Sequence, residues 1–90
     1  MTYWLGVVTP EVWNEARRQE YYQNGPRPYG FPRSRRKSVQ EMKAGDRIVD
    51  YLTKRKVFFA AWEVTGEYSH DPSREFAGKE FSECVEVTPI

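Results

Sequence analysis

Asp46-Arg47-Ile48-Val49-Asp50-Tyr51-Leu52-Thr53 leads, through the charged Lys54-Arg55-Lys56, into Val57-Phe58-Phe59-Ala60-Ala61-Trp62-Glu63-Val64-Thr65. The first run alternates, with Ile48, Asp50 and Leu52 on one face and Val49 and Tyr51 on the other, which is the period of a strand. The second is the most hydrophobic run of the chain, and its aromatic and β-branched content predicts a central strand. Ala60 and Ala61 allow close approach of a neighbour. Thr53 to Lys56 then makes a charged hairpin tip, so residues 46–65 form a β-hairpin at the heart of a sheet.

The flanking segments add a helix and further strands. Tyr3 to Thr9 is aromatic and β-branched and is bounded by Pro10, so it reads as a strand. Trp4, Leu5, Val7 and Val8 fall on both of its faces, which predicts an inner position. Thr9 offers an N-cap hydroxyl, Pro10 suits the first helical position, and Glu11 suits the positive first turn. Val12, Trp13 and Ala16 follow at helical spacing, predicting a helix from Pro10 to about Tyr22. Asn24-Gly25-Pro26-Arg27-Pro28 stops it and begins an irregular segment reaching Ser34. Ser38 and Glu41 have capping-box spacing, predicting a short helical turn that ends before Gly45. Towards the C-terminus, Tyr68-Ser69-His70-Asp71-Pro72 reads as a turn and Phe81 to Thr88 as a last strand containing Cys84. The order predicts a single α+β domain over residues 1–90: a mixed sheet or small barrel, with one helix after the first strand and a short second helix.

The 90 residues are 39% hydrophobic, 16% aromatic and 30% charged. That aromatic content excludes intrinsic disorder. No run approaches the length of a membrane span, and the N-terminus lacks the pattern of a signal peptide; the expectation is an intracellular, cytoplasmic protein with no membrane partner. Cys84 is alone, so neither a disulfide framework nor a cysteine zinc site is expected. The net charge of +1 hides a division: residues 1–56 carry twelve Lys/Arg against six Asp/Glu, and residues 57–90 carry two against seven. Arg27, Arg33, Arg35, Arg36 and Lys37 share an eleven-residue stretch without an acid. Pro28, Tyr29, Phe31 and Pro32 are interleaved with them. Rings that stack on bases, set among cations that neutralise phosphate, are the apparatus of single-strand binding. The alternative is a solvated basic loop, or one that docks an acidic protein face.

Chemistry of other kinds finds no support. His70 is the only histidine and lies next to Asp71 in a predicted turn; Cys84 lies in a predicted strand far from it in sequence. No phosphate-binding loop, dinucleotide turn or metal-ligand spacing occurs. Glu80, Glu83 and Glu86 do not share one strand face. The expectation is a binding protein without cofactor or metal, not an enzyme.

Several features line up in order. These are the Tyr3-Trp4 strand, the Thr-Pro helix start, and Tyr29-Gly30-Phe31-Pro32 ahead of a basic segment. Met42-Lys43-Ala44-Gly45-Asp46 follows with its strand ending near Tyr51, and then Ala60-Ala61-Trp62-Glu63-Val64-Thr65. The sequence resembles the EVE domain, a PUA-like relative of the YTH domain. The resemblance covers nearly all the chain, although typical members are longer, so it implies either a compact or a C-terminally truncated form. It also implies an aromatic pocket that holds a modified base, for example a methylated one, flipped out of DNA or RNA. Tyr29 stands where relatives place a ring against the base, and Gly30 and Phe31 stand in the turn whose amides can bond a base edge. Tyr3 and Trp4 match the opening aromatic pair beside the pocket. Phe76 and Phe81 fall where YTH relatives supply further cage rings. Arg27, Arg33, Arg35, Arg36 and Lys37 would then contact phosphate. Some relatives read modified bases within modification-dependent restriction systems, which makes a larger nuclease or translocase assembly a further implied partner.

Overall fold

The computed structural model describes residues 1–19 and 25–90, apart from the side chain of Phe76. Strand β1 (Tyr3–Val8) leads to helix α1 (Pro10–Arg18) and strand β2 (Arg27–Phe31). A 3-10 turn over Arg33–Arg35 runs into helix α2 (Arg36–Glu41). Strands β3 (Arg47–Leu52), β4 (Val57–His70), β5 (Glu75–Phe76), β6 (Lys79–Glu80) and β7 (Glu83–Pro89) complete the order. Five strands form one sheet in the order β1-β3-β4-β7-β2, and β5 pairs with β6 in a separate ribbon. β1 runs parallel to β3, while β2–β7, β3–β4 and β4–β7 are antiparallel. The sheet is therefore mixed and the domain α+β, with β4 at its centre as the sequence predicts.

Three expectations are corrected. β1 is an edge strand, not an inner one. Trp4, Gly6 and Val8 turn towards the interior, whereas Tyr3, Leu5 and Val7 stay 61%, 47% and 55% exposed on the outer face; apolar residues on both faces therefore do not signify burial on both. The segment read as irregular contains β2, paired from Arg27↔Val87 to Phe31↔Glu83. Pro28 fits there because β2 is the opposite edge, where a missing N–H costs no ladder bond. Tyr68, Ser69 and His70 continue β4 instead of turning; the turn begins at Asp71, whose Oδ1 accepts from Ser73 N (3.0 Å) and Oγ (2.6 Å).

Local chemistry accounts for the remaining elements. Thr9 caps α1, its Oγ1 accepting from Val12 N at 3.3 Å, and Pro10 occupies the first turn. α1 ends at Arg18 with Gln19 as its C-cap, earlier than the expected Tyr22, and Glu20 to Tyr22 lie outside the described residues. Helix α2 starts before the predicted capping box: Ser38 is already inside it, and the preceding 3-10 turn leads in without a side-chain cap. Val39 is its buried anchor. Gly45 adopts φ +95°, open to glycine without strain, and donates to Val64 O at 2.9 Å. Asp46 accepts from Thr2 N (3.0 Å), Trp4 Nε1 (3.0 Å) and Lys43 N (3.1 Å). These bonds tie the start of β1 to the start of β3.

The core lies between the sheet and its two helices. Tyr29, Phe31, Val39, Met42, Ile48, Trp62, Val64, Val85 and Val87 form one buried cluster. Between Val64 and Tyr68 the β4–β7 register shifts, and such a bulge bends the sheet. Gly66 lies within it, where a Cβ would come 2.7 Å from Glu86 Cβ. The bend brings the two sheet edges towards each other: the Tyr29 hydroxyl of β2 reaches Asp50 of β3 and the backbone of Gly6 in β1.

Candidate nucleic-acid interface

Where the two edges approach, a cavity of about 210 Å³ opens between them. Gly6, Val7 and Val8 of β1 form one wall, and Tyr29, Gly30 and Phe31 of β2 the other. Val12 and Ala16 of α1, with Pro32, Ser34, Arg35 and Phe81, complete the lining. Tyr29 and Phe31 are buried, and Phe81 is half-buried. The Tyr29 ring lies 4.9 Å from Phe31 and edge-on to Trp62 at 5.8 Å. Its ring is therefore fixed by core packing on β2, where the sequence predicts an irregular segment, and it lines the cavity.

Behind this wall sits Asp50, fully buried. Tyr29 donates its hydroxyl to Oδ1, and Trp62 Nε1 donates to Oδ2 at 2.9 Å. Burial pushes the Asp50 carboxyl up to about 6, although both hydrogen bonds favour ionisation. Gly6 makes the arrangement possible, because a Cβ there would strike the Tyr29 hydroxyl and the Asp50 carboxylate. Gly30 is required for a related reason: a Cβ would come 2.6 Å from Phe81 O.

The basic residues divide into different roles. Arg35 stands in the cavity wall, with its guanidinium 5.1 Å from the Phe31 ring and donating to Leu5 O at 3.3 Å. Arg33 is exposed and makes a long 3.5 Å ion pair with Glu80. Lys37 is exposed. Arg36 is committed to the structure, its Nε 2.6 Å from Glu83 Oε1. Arg27 lies away from the cavity, beside Pro26, Pro28, Glu67, Ser69 and Glu86 around a second, polar hollow of about 330 Å³. Among the aromatics, Tyr3 is exposed on the outer face and Trp4 is bonded to Asp46. Neither lines the cavity. Phe76 places its backbone in β5, and its side chain is outside the description.

Two buried acids escaped the sequence reading. Asp50 carried a signal, being an acid on the face shared by Ile48 and Leu52. Glu83 carried none. It is fully buried and accepts from Arg36, from Tyr68 Oη at 2.7 Å and from Ser82 Oγ at 2.5 Å, with His70 Nδ1 2.8 Å from Oε2. Burial opposes its ionisation, yet Arg36, Ser82, Tyr68 and His70 hold its carboxyl well below the ordinary range. Cys84, also buried, is a small core residue whose thiol burial pushes up.

The structure is thus a curved mixed sheet with an aromatic-walled cavity, bordered by Arg35, between its two edges. The EVE domain family model matches residues 2–90, and the chain belongs to that family. Family membership points to a nucleic-acid-binding module, and such domains generally bind rather than catalyse. The NMR structure of Rpa0253 from Rhodopseudomonas palustris is similar, with a TM-score of 0.62 and 22% identity over 100% of this chain and 61% of that one. At that identity the likeness establishes the fold, and the chain spans about 61% of the length of this neighbour. No curated protein sequence matches. Among the described residues no helix is long and apolar enough to cross a membrane.

Proposed function

We propose that the chain binds a nucleic-acid strand and receives one modified base, displaced from that strand, in the cavity between β1 and β2. The observation that carries this reading is an aromatic-backed hollow of about 210 Å³ with an arginine in its wall. A cavity of roughly 150 Å³ suffices for a benzene ring, so a heterocycle with a small substituent fits. Unstacking a base costs a few kcal/mol, and one aromatic contact returns roughly 1–3 kcal/mol. Stacking must therefore be joined by phosphate contacts, for which Arg35, Arg33 and Lys37 stand nearest in the chain. A donor for the base edge comes from Gly30. Pro28 offers no N–H to β7, and its carbonyl accepts from Arg74 Nη2 at 3.0 Å. The alternation of an antiparallel ladder then turns the peptide groups of Gly30 to the same open edge.

Short single strands, plain or bearing one methylated or hydroxymethylated base, test the reading at fixed salt. Discrimination by the wild type, lost in Phe81→Ala, is expected. Equal affinity for plain and modified strands sinks base reading and leaves only electrostatic binding. Discrimination of this kind would suit a reading module in a modification-dependent nuclease or translocase assembly.

A further inference from the structure

Asp50 is a buried carboxylate that no cation accompanies among the described residues. It makes no ion pair among the described residues, and its two partners, the Tyr29 hydroxyl and the Trp62 indole N–H, are both neutral. The contrast with Glu83, which holds Arg36 at 2.6 Å, is direct. An ionised acid in an apolar interior is costly unless a positive group answers it. Among the described residues the elements around Asp50 offer none: β1 presents Gly6, β4 presents Trp62, and β2 presents Tyr29, the titratable group bonded to it. α1 presents Val12 and Ala16 to the cavity. Arg35 is engaged with Leu5 O and the Phe31 ring, where it is placed to meet phosphate.

The wall between the carboxylate and the cavity is thin. Gly6 and Tyr29 both line the cavity, and the position of a Gly6 Cβ is shared by the Tyr29 hydroxyl and Asp50 Oδ1. A ligand seated there lies behind one hydroxyl group and one glycine from a buried negative charge. Its other neighbours include the Tyr29, Phe31 and Phe81 rings, which also attract cations, alongside aliphatic side chains and the Arg35 guanidinium, which Leu5 O and the Phe31 ring hold. We infer that the base preferred by this cavity is a cationic heterocycle, one whose ring alkylation fixes a positive charge, with Asp50 as its electrostatic counterpart. This rests on the proposed base-reading function and narrows its substrate class.

Two isomers of equal composition isolate the charge. An oligonucleotide carrying one 1-methyladenosine presents a cationic ring at neutral pH, and its N6-methyladenosine isomer presents a neutral one. The wild type is expected to bind the cationic isomer about tenfold more tightly at neutral pH. The preference should shrink towards parity at pH 5, where Asp50 takes up a proton, and in Asp50→Asn at neutral pH. The Tyr29→Phe variant, which keeps the carboxylate, should retain a preference. If Asn at position 50 prevents folding, the wild-type pH series decides alone. Discrimination of both methylated strands from plain strand, but with no preference for the cation or a preference unmoved by pH and by Asp50→Asn, overturns this inference and leaves base reading standing. Equal binding of plain and both methylated strands overturns base reading and this inference with it.

Discussion

The Tyr29 hydroxyl donates to Asp50 Oδ1, joining β2 to β3 although two other strands separate them in the sheet. The bond spans the seam that the bent sheet leaves open, and it passes where a side chain on Gly6 would stand. Gly6 thus sets both the closure of the sheet and the depth of the cavity. Gly6→Ala should displace the Tyr29 hydroxyl and cost about 1–3 kcal/mol in stability. It should also abolish discrimination of a modified base. Denaturant unfolding and strand binding check the two effects together; an unchanged midpoint with unchanged discrimination refutes the assignment of Gly6.

Asp50 gives stability a distinctive pH dependence. Its carboxyl is raised from 3.8 to about 6 by burial, so the folded protein holds a proton that the unfolded chain releases. The contribution of this group is full below about pH 4 and is lost as pH rises through about 6. Asp50→Asn removes the buried charge and keeps the shape, and the Tyr29 hydroxyl can turn to accept from the new amide. The variant should gain about 1–2 kcal/mol at pH 7.5 and little at pH 4. Urea midpoints at the two pH values measure this. A variant less stable than wild type at pH 7.5 shows that Asp50 is not the destabilising group the geometry makes it.

Much of this fold was legible because its signals are local. The hairpin over residues 46–65, the Thr9–Pro10 helix start and a short second helix ending before Gly45 each follow from neighbouring residues. β1 was misplaced because apolar side chains on both faces of a strand do not say whether a layer covers both; Leu5 and Val7 are exposed. β2 was hidden because Arg27-Pro28-Tyr29-Gly30-Phe31 has a weak strand pattern and is stabilised by register with Val87 to Glu83, far along the chain. The candidate site was legible in part. Tyr29, Gly30, Phe31, Phe81 and Arg35 do meet at one cavity. Gly6 and Glu83 act through contacts distant in sequence that no local pattern marks, while the alternation that put Asp50 on the face of Ile48 and Leu52 marked it without naming its partners.

Phosphate contacts predict a salt dependence that separates the arginines by role. Arg33 is 62% exposed and its pair with Glu80 is long, at 3.5 Å, a geometry worth little in water. Arg33→Gln and Lys37→Gln should therefore leave the unfolding midpoint within about 0.5 kcal/mol of wild type. Each should weaken plain and modified strands alike and flatten the slope of log K against log salt by about one contact. Loss confined to the modified strand would instead place these side chains at the base.

Arg36 should behave differently, because its partner is Glu83. That carboxylate is buried and takes hydrogen bonds from Arg36, Ser82 and Tyr68, with His70 alongside. The cluster joins α2, β4 and the start of β7, so its loss loosens the frame that carries β2. Glu83→Gln removes the ionised acceptor shared by Arg36, Ser82 and Tyr68 and should lower stability at neutral pH. The carboxyl of Glu83 is depressed in the folded state from an ordinary value of 4.5. Its contribution is therefore present above about pH 4.5 and is lost as pH falls further. Wild-type stability should decline in acid more steeply than that of Glu83→Gln, and the gap between them should narrow by pH 2. Parallel acid profiles for the two proteins would show that the ionised form of Glu83 contributes nothing to the fold. The same acid limb, set against the loss of the Asp50 contribution above pH 4, gives the wild type a stability maximum in weak acid that Asp50→Asn should broaden towards neutral pH.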